Sequence, residues 1–244
     1  MNELNGFSLG GKCSQDYGLI MTEPPHIVIA EREVETISVV GRSGNLMVDK
    51  GRYKNVTIPY KCAIIPEGQT LRDAAVSAAE LLRPMAGYLR LENTFHPESY
   101  RMARISSQIS IESIVEQAGR FTVNFDCKPQ RFLKSGEFPI AYESAGELFN
   151  PTMETALPLI TVYGTGPGEV SVGGVTVEIK EIEDQITLDC DLQQAYRQVA
   201  DSGPENYNGK IYAPNFPALQ PGTNGISFTG GITKVEIIPR WWTL

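Results

Sequence analysis

Residues 120–127 alternate without a break: Phe121, Val123, Phe125 and Cys127 are apolar, while Arg120, Thr122, Asn124 and Asp126 are polar. Successive side chains of a β-strand point to opposite faces, so this period gives one dry face and one wet face. Sheets of that kind are antiparallel and packed on one side only. Upstream, Ile105, Ile109, Ile111 and Val115 fall in the same phase, and Gln117-Ala118-Gly119 separates the two runs. The spacing predicts a long antiparallel hairpin. Further strands are expected at 27–30, 33–40, 56–65 and 88–91.

One stretch carries a different period. Leu71, Ala74, Ala75, Ala78, Leu82 and Met85 keep helical spacing, Thr70 followed by Asp73 resembles a capping box, and Pro84 closes the run. This predicts the chain's one long helix, packed on a sheet. Between 134 and 157 both periods lapse, and Ser135-Gly136, Ala145-Gly146 and Asn150-Pro151 are turn signals. A domain boundary is expected there, with an N-terminal domain over 1–136, a linker over 137–150 and a second domain over 151–244. In the second domain 159–163 and 169–172 read as strands. Gly173-Gly174 then turns into a strand over 175–179. Ile186, Leu188, Cys190 and Leu192 form one apolar face, and 226–228 and 233–238 complete about six short strands. The fold class is mainly β: a β-sandwich-like domain with one helix, then a second β-sandwich.

The 244 residues carry 21 Lys and Arg against 29 Asp and Glu, a formal charge of −8. That balance opposes specific nucleic-acid binding and attachment to an anionic membrane, both of which need clustered cations. A conduit wall that DNA slides past is compatible with it. Residues 1–5 lack the basic and apolar segments of a secretory signal, and no apolar run approaches the roughly 20 residues of a membrane span. Cys13, Cys62, Cys127 and Cys190 form no C-x-x-C pair and read as reduced thiols of a protein folded in a cytoplasm.

Motifs of chemistry dissolve on inspection. Gly6 to Lys12 has P-loop spacing, but Cys13 replaces the magnesium-binding hydroxyl and neither a leading strand nor a following helix fits. A glycine turn between two short strands is the better reading. Gly164-Thr165-Gly166-Pro167-Gly168 opens like a dinucleotide fingerprint, yet an alternating strand follows where a helix is required, so a hairpin loop is expected. Asp189 and Asp191 share a face but supply too few oxygens for calcium, and read as a solvated outer face. His26 and His96 each sit beside a proline and are not spaced as metal ligands. No catalytic residue, metal or cofactor is expected. Trp241 and Trp242 point to opposite faces of a terminal strand, which makes one of them a candidate surface or partner contact.

The order and spacing of several short stretches resemble the Dit family of siphophage distal tail proteins over nearly the whole chain. They are Asp16-Tyr17-Gly18, Val39-Val40-Gly41-Arg42-Ser43-Gly44, Gly87-Tyr88-Leu89-Arg90-Leu91, Tyr100-Arg101 and Phe125-Asp126-Cys127-Lys128-Pro129 in the first half. In the second half they are Asn150-Pro151, Pro158-Leu159-Ile160, Leu188-Asp189, the run from Phe216 to Asn224, and Ile237-Ile238-Pro239-Arg240-Trp241. The resemblance implies a ring-forming N-terminal domain and a galectin-like C-terminal β-sandwich, in the short form without an inserted module. It implies a structural, non-enzymatic role at the tail tip of a long-tailed phage or prophage, in a virion assembled in the host cytoplasm. There a homohexameric ring would join the tail tube to the tail-associated hub and line the DNA channel. Implied partners are the tail tube protein, the hub protein, the tape measure protein and receptor-binding or baseplate proteins. Gly41, Arg42, Ser43 and Gly44, between two expected strands, are the candidate oligomer interface, with Arg42 offering a charge-assisted contact.

Two other functions compete. The C-terminal sandwich could serve as a carbohydrate- or receptor-binding module through Trp241 or Trp242, although the second half has no His and lacks the galectin constellation. A polymer hydrolase would need a carboxylate pair in a cleft, for which Glu178, Glu181, Glu183 and Asp184 are the nearest in sequence. They read more simply as a solvated acidic stretch.

Overall fold

A computed structural model describes residues 5–66, 68, 70–105, 112–115, 118–199 and 203–244. The fold is mainly β, with one α-helix among the described residues, and the chain forms two compact units: Met1–Arg131 with Leu244, and Phe132–Thr243.

The sheet of the first unit runs in the order Lys12–Cys13, Phe7–Leu9, Leu89–Asn93, Ser99–Ile105, Ala118–Leu133, Val56–Ile64, Leu19–Met21. Its centre is the alternating segment. Phe121, Val123, Phe125 and Cys127 lie opposite Cys62, Tyr60, Ile58 and Val56, all of them buried, so the dry faces of both strands coincide. Phe7, Tyr60 and Phe125 pack edge to face with centroids 4.9–5.8 Å apart. Such pairs add about 0.5–1.5 kcal/mol each beyond the area they bury. The helix spans Leu71–Leu81 and buries Ala74, Ala78 and Leu81. Thr70 Oγ1 accepts the Asp73 N–H at 3.2 Å, which satisfies one of the first-turn donors. The helix stops short of Met85 because Pro84 disfavours helical backbone at Arg83.

Two expectations are corrected in this unit. Residues 27–30 belong to no strand, and Ile27 and Ile29 are exposed. The strand expected over 33–40 is Arg32–Ile37. It pairs with Leu46–Tyr53, a strand the sequence pattern did not predict, in a separate two-stranded sheet. The expected hairpin is present: Glu112–Val115 pairs antiparallel with the strand starting at Ala118, while Ile109, Ile111 and Gln117 lie outside the described residues.

The sheet of the second unit runs Ile140–Tyr142, Gly222–Ile238, Leu159–Val172, Gln185–Asp189, Gln194–Val199, Gly203–Asn206. Gly146–Asn150 also pairs with Gly222–Ile238, and Val175–Ile182 pairs with the far half of Leu159–Val172. The stretch 137–150, expected as a linker, therefore holds two strands of this sheet. The expected loop over 164–168 is an irregularity inside one long strand. A Cβ on Gly164 would stand 2.2 Å from the Gly231 carbonyl oxygen, and one on Gly231 would stand 1.8 Å from that of Thr165. Glycine lets the two backbones touch and the strand continue. The same contact joins 226–228 and 233–238 into a single strand. Gly173 and Gly174, at φ of 60° and 83°, make the expected tight hairpin turn. Leu192, expected inside, is exposed, whereas Ile186, Leu188 and Cys190 are buried.

Candidate functional site

The paired strands Arg32–Ile37 and Leu46–Tyr53 form an arm with almost no buried residue on either face. The sequence builds it from charge rather than from a core. Arg32 pairs with Asp49 at 2.7 Å, Arg52 with Glu33 at 2.7 Å, Lys54 with Glu31 at 3.2 Å, and Lys50 with Glu35. Hydrogen bonding to Arg32 holds the Asp49 carboxyl below the usual carboxylate range, and Arg52 does the same for Glu33. Exposed pairs of this kind contribute little individually; four across one ribbon fix its register. Val34, Ile37, Val39, Val40, Leu46, Met47 and Val48 are all exposed among them. A lone two-stranded hairpin is marginal in water, and clustered exposed apolar residues mark a contact surface.

The four residues singled out from sequence occupy the turn of this arm. Gly41 and Gly44 have φ of 80° and 81°, a region glycine enters without strain, and added Cβ atoms would meet nothing. Arg42 donates its backbone N–H to the Val39 carbonyl oxygen at 3.2 Å, and its side chain makes no ion pair among the described residues. Sequence reasoning missed the return strand Leu46–Tyr53, which carries half of the exposed surface.

The tryptophans are placed differently. Trp241 is buried in the core of the second unit, so it is not a surface contact. Trp242 is half-buried and donates its indole N–H to the Thr155 carbonyl oxygen at 2.9 Å. Asp189 is likewise not on a solvated face. It is buried and accepts two hydrogen bonds from the Arg240 guanidinium, at 2.8 and 3.0 Å. Burial alone would raise its pKa; the Arg240 bonds and the Leu192 and Asp191 N–H groups pull it below the ordinary value.

The acidic stretch is dispersed into surface pairs: Glu181 with Lys210, and Glu183 with Arg197 at 2.7 Å. The glycine segment with P-loop spacing is the expected turn, with Gly10 and Gly11 between Phe7–Leu9 and Lys12–Cys13. The same residues also spell G-x-S-x-G, but Ser8 lies within a paired strand, not at the strand-to-helix turn of a nucleophile elbow. No cluster of three or more His, Cys, Asp or Glu suited to a metal ion occurs among the described residues.

A polar face stands on the second unit instead. Gln194, Tyr196 and Gln198 share one side of their strand, and Asn206 and Pro204 lie opposite Tyr196 and Gln198 on the next. Together they line an open cleft of about 340 Å³.

No family model matches the chain, and no curated protein matches it. The fold has a solved counterpart: the crystal structure of SPP1 Dit, a hub adsorption apparatus protein of phages that infect Gram-positive bacteria. The two agree with a TM-score of 0.76 over 99% of this chain and 100% of that one, at 12% sequence identity. At that identity the likeness is one of fold.

Proposed function

We propose that the protein is a structural, non-enzymatic component of a phage or prophage tail tip. Six copies close into a ring between the tail tube and the hub, around the channel for the tape measure and then DNA. The observation that carries this reading is the arm: a ribbon with exposed apolar residues on both faces, in a chain whose fold matches a hub adsorption protein from end to end. In a cyclic heterologous contact each arm finds its cover on the next copy, and the contacts close on themselves. The tube, hub, tape measure and receptor-binding or baseplate proteins are the partners this reading assigns, and the galectin-like character of the second unit belongs to it. Sedimentation and negative-stain imaging of the full chain, alone and with tube and hub proteins, test it. A six-fold ring of about 160 kDa is expected from chains of 26.8 kDa. Monomers alone under every one of these conditions would overturn the reading.

A second reading, a carbohydrate- or receptor-binding role for the second unit, is favoured by one observation. Gln194, Gln198 and Asn206 present amides around the Tyr196 ring, a chemistry suited to neutral hydroxyl-rich ligands. Binding to a glycan array that disappears with Tyr196→Ala would support it.

A further inference from the structure

The chain's two histidines, far apart in sequence and each beside a proline, line the same small cavity in the first unit. Arg101, Arg131, Ser99 and Asn93 line it with them, and no Asp or Glu among the described residues does. Arg101 points inward because it shares the buried face of its strand with Ser99 and Ala103. It is only 9% exposed, and Ser99 only 4%. Arg101 uses Nη1 on the carbonyl oxygens of Pro129, at 2.7 Å, and Lys128, at 3.4 Å. Its Nε and Nη2, and the Ser99 hydroxyl, have no hydrogen-bond partner among the described residues. Among the described residues, Glu98 is the carboxylate within ion-pair reach of a histidine, 4.0 Å from His96 Nδ1, and it is itself largely exposed.

A guanidinium taken this far out of water is ordinarily matched by a carboxylate, because carbonyl dipoles do not replace its hydration. Here burial lowers the pKa of Arg101, and the neighbouring charge of Arg131 pushes the same way. The cavity measures about 40 Å³. That is more than one water requires and too little for a nucleotide or a sugar. We infer that this cavity is a binding site for a single carboxylate group, held by the unused fork of Arg101 and the Ser99 hydroxyl, with Arg131, His26 and His96 around it. A planar carboxylate accepts two parallel N–H bonds from such a fork. The carboxylate is either a free small acid or an Asp or Glu side chain of a second copy of this acidic chain.

Two histidines give two imidazole Cε1–H signals, which makes the site directly observable by proton NMR on the full chain. Sodium acetate is titrated against sodium chloride at matched ionic strength and pH, with sodium phosphate as a third arm. Acetate is expected to move both signals along a saturable curve that chloride does not produce. Arg101→Met should weaken that curve about tenfold or more, as expected for loss of a charge-assisted fork. His96→Leu, at a half-exposed position, should weaken it less and serves if the Arg101 variant does not fold. Equal responses to acetate and chloride, or saturation by phosphate alone, would overturn the inference. Sedimentation of the same samples separates the sources. If acetate or His96→Leu weakens self-association, the carboxylate comes from a second copy; if acetate binds and association is unchanged, it is a free acid.

Discussion

Asp189 shows how a polar residue becomes structural. It sits at the end of the strand Gln185–Asp189 with its side chain inside, and Arg240 reaches it from a backbone at φ of 58°, unusual for a non-glycine residue. Removing one partner of a buried pair leaves the other uncompensated. Asp189→Asn is expected to destabilise the second unit by roughly 2–3 kcal/mol, below the fully buried case because Arg240 keeps contact with water. The pH dependence has a fixed sign. The folded pKa is depressed, so the pair's stabilisation is present above the ordinary aspartate value of about 3.9 and is lost as pH falls through the folded value. Urea titrations from pH 6 down to pH 2 should show a decline below about pH 4 that is shallower in Asp189→Asn. An equally steep decline would show that other carboxylates set it. The thiols give a second residue-scale test. Cys62, Cys127 and Cys190 are buried, which pushes each thiol up to about 12, whereas Cys13 is exposed. A thiol reagent at pH 8 should label Cys13 promptly and the other three only on unfolding; rapid labelling of all four would contradict the burial. The inward direction of Cys127 and Cys190 was legible in the alternation of their strands. That of Asp189 was not, because its partner lies 51 residues away and periodicity carries no information about pairing.

At the scale of elements, legibility followed burial. The strand Val56–Ile64, the segment 120–127 and the helix all press one face on a core, and each shows its period in the sequence. The return strand of the arm, Leu46–Tyr53, has no dry face and so no alternation. Leu46-Met47-Val48 followed by Asp49-Lys50-Gly51-Arg52 reads as a loop, and only pairing makes it a strand. The turn residues Gly41 to Gly44 stood out through the family resemblance and their place between two expected strands, without the return strand that follows them. This division has a mutational consequence. Because arm residues support no core, Val40→Asp should change the unfolding free energy of the subunit by no more than about 0.5 kcal/mol, as for surface sites generally. Under the ring proposal it should abolish self-association, and Arg42→Ala should weaken it. Denaturation and sedimentation velocity on each variant separate the two effects. A Val40→Asp protein that assembles normally would remove the arm from the interface, and an unchanged Arg42→Ala would remove Arg42 alone.

At the scale of the whole molecule, the position of the boundary between the two units decides which fragments fold. The sequence break over 134–157 marks a lapse of periodicity, and the strands Ile140–Tyr142 and Gly146–Asn150 are too short to display one. Both nonetheless pair with Gly222–Ile238, Ile140 opposite Ile237 and Leu148 opposite Asn224. Leu148 is buried in the second core, and the buried Asn150 side chain donates to the carbonyl oxygens of Glu154 and Leu219. A fragment over 151–244 therefore loses both of these partners of the strand Gly222–Ile238 and exposes its ladder groups. A fragment over 132–243 keeps them, and with about 110 residues it is of a size that folds independently. We predict that 132–243 gives a cooperative melt and stays monomeric, whereas 151–244 is unfolded or aggregates through the uncovered strand. Circular dichroism melts and light scattering on the two fragments decide the matter. Equal stability of both would make the two short strands dispensable. Self-assembly of 132–243 would move ring formation out of the first unit, and the arm with it.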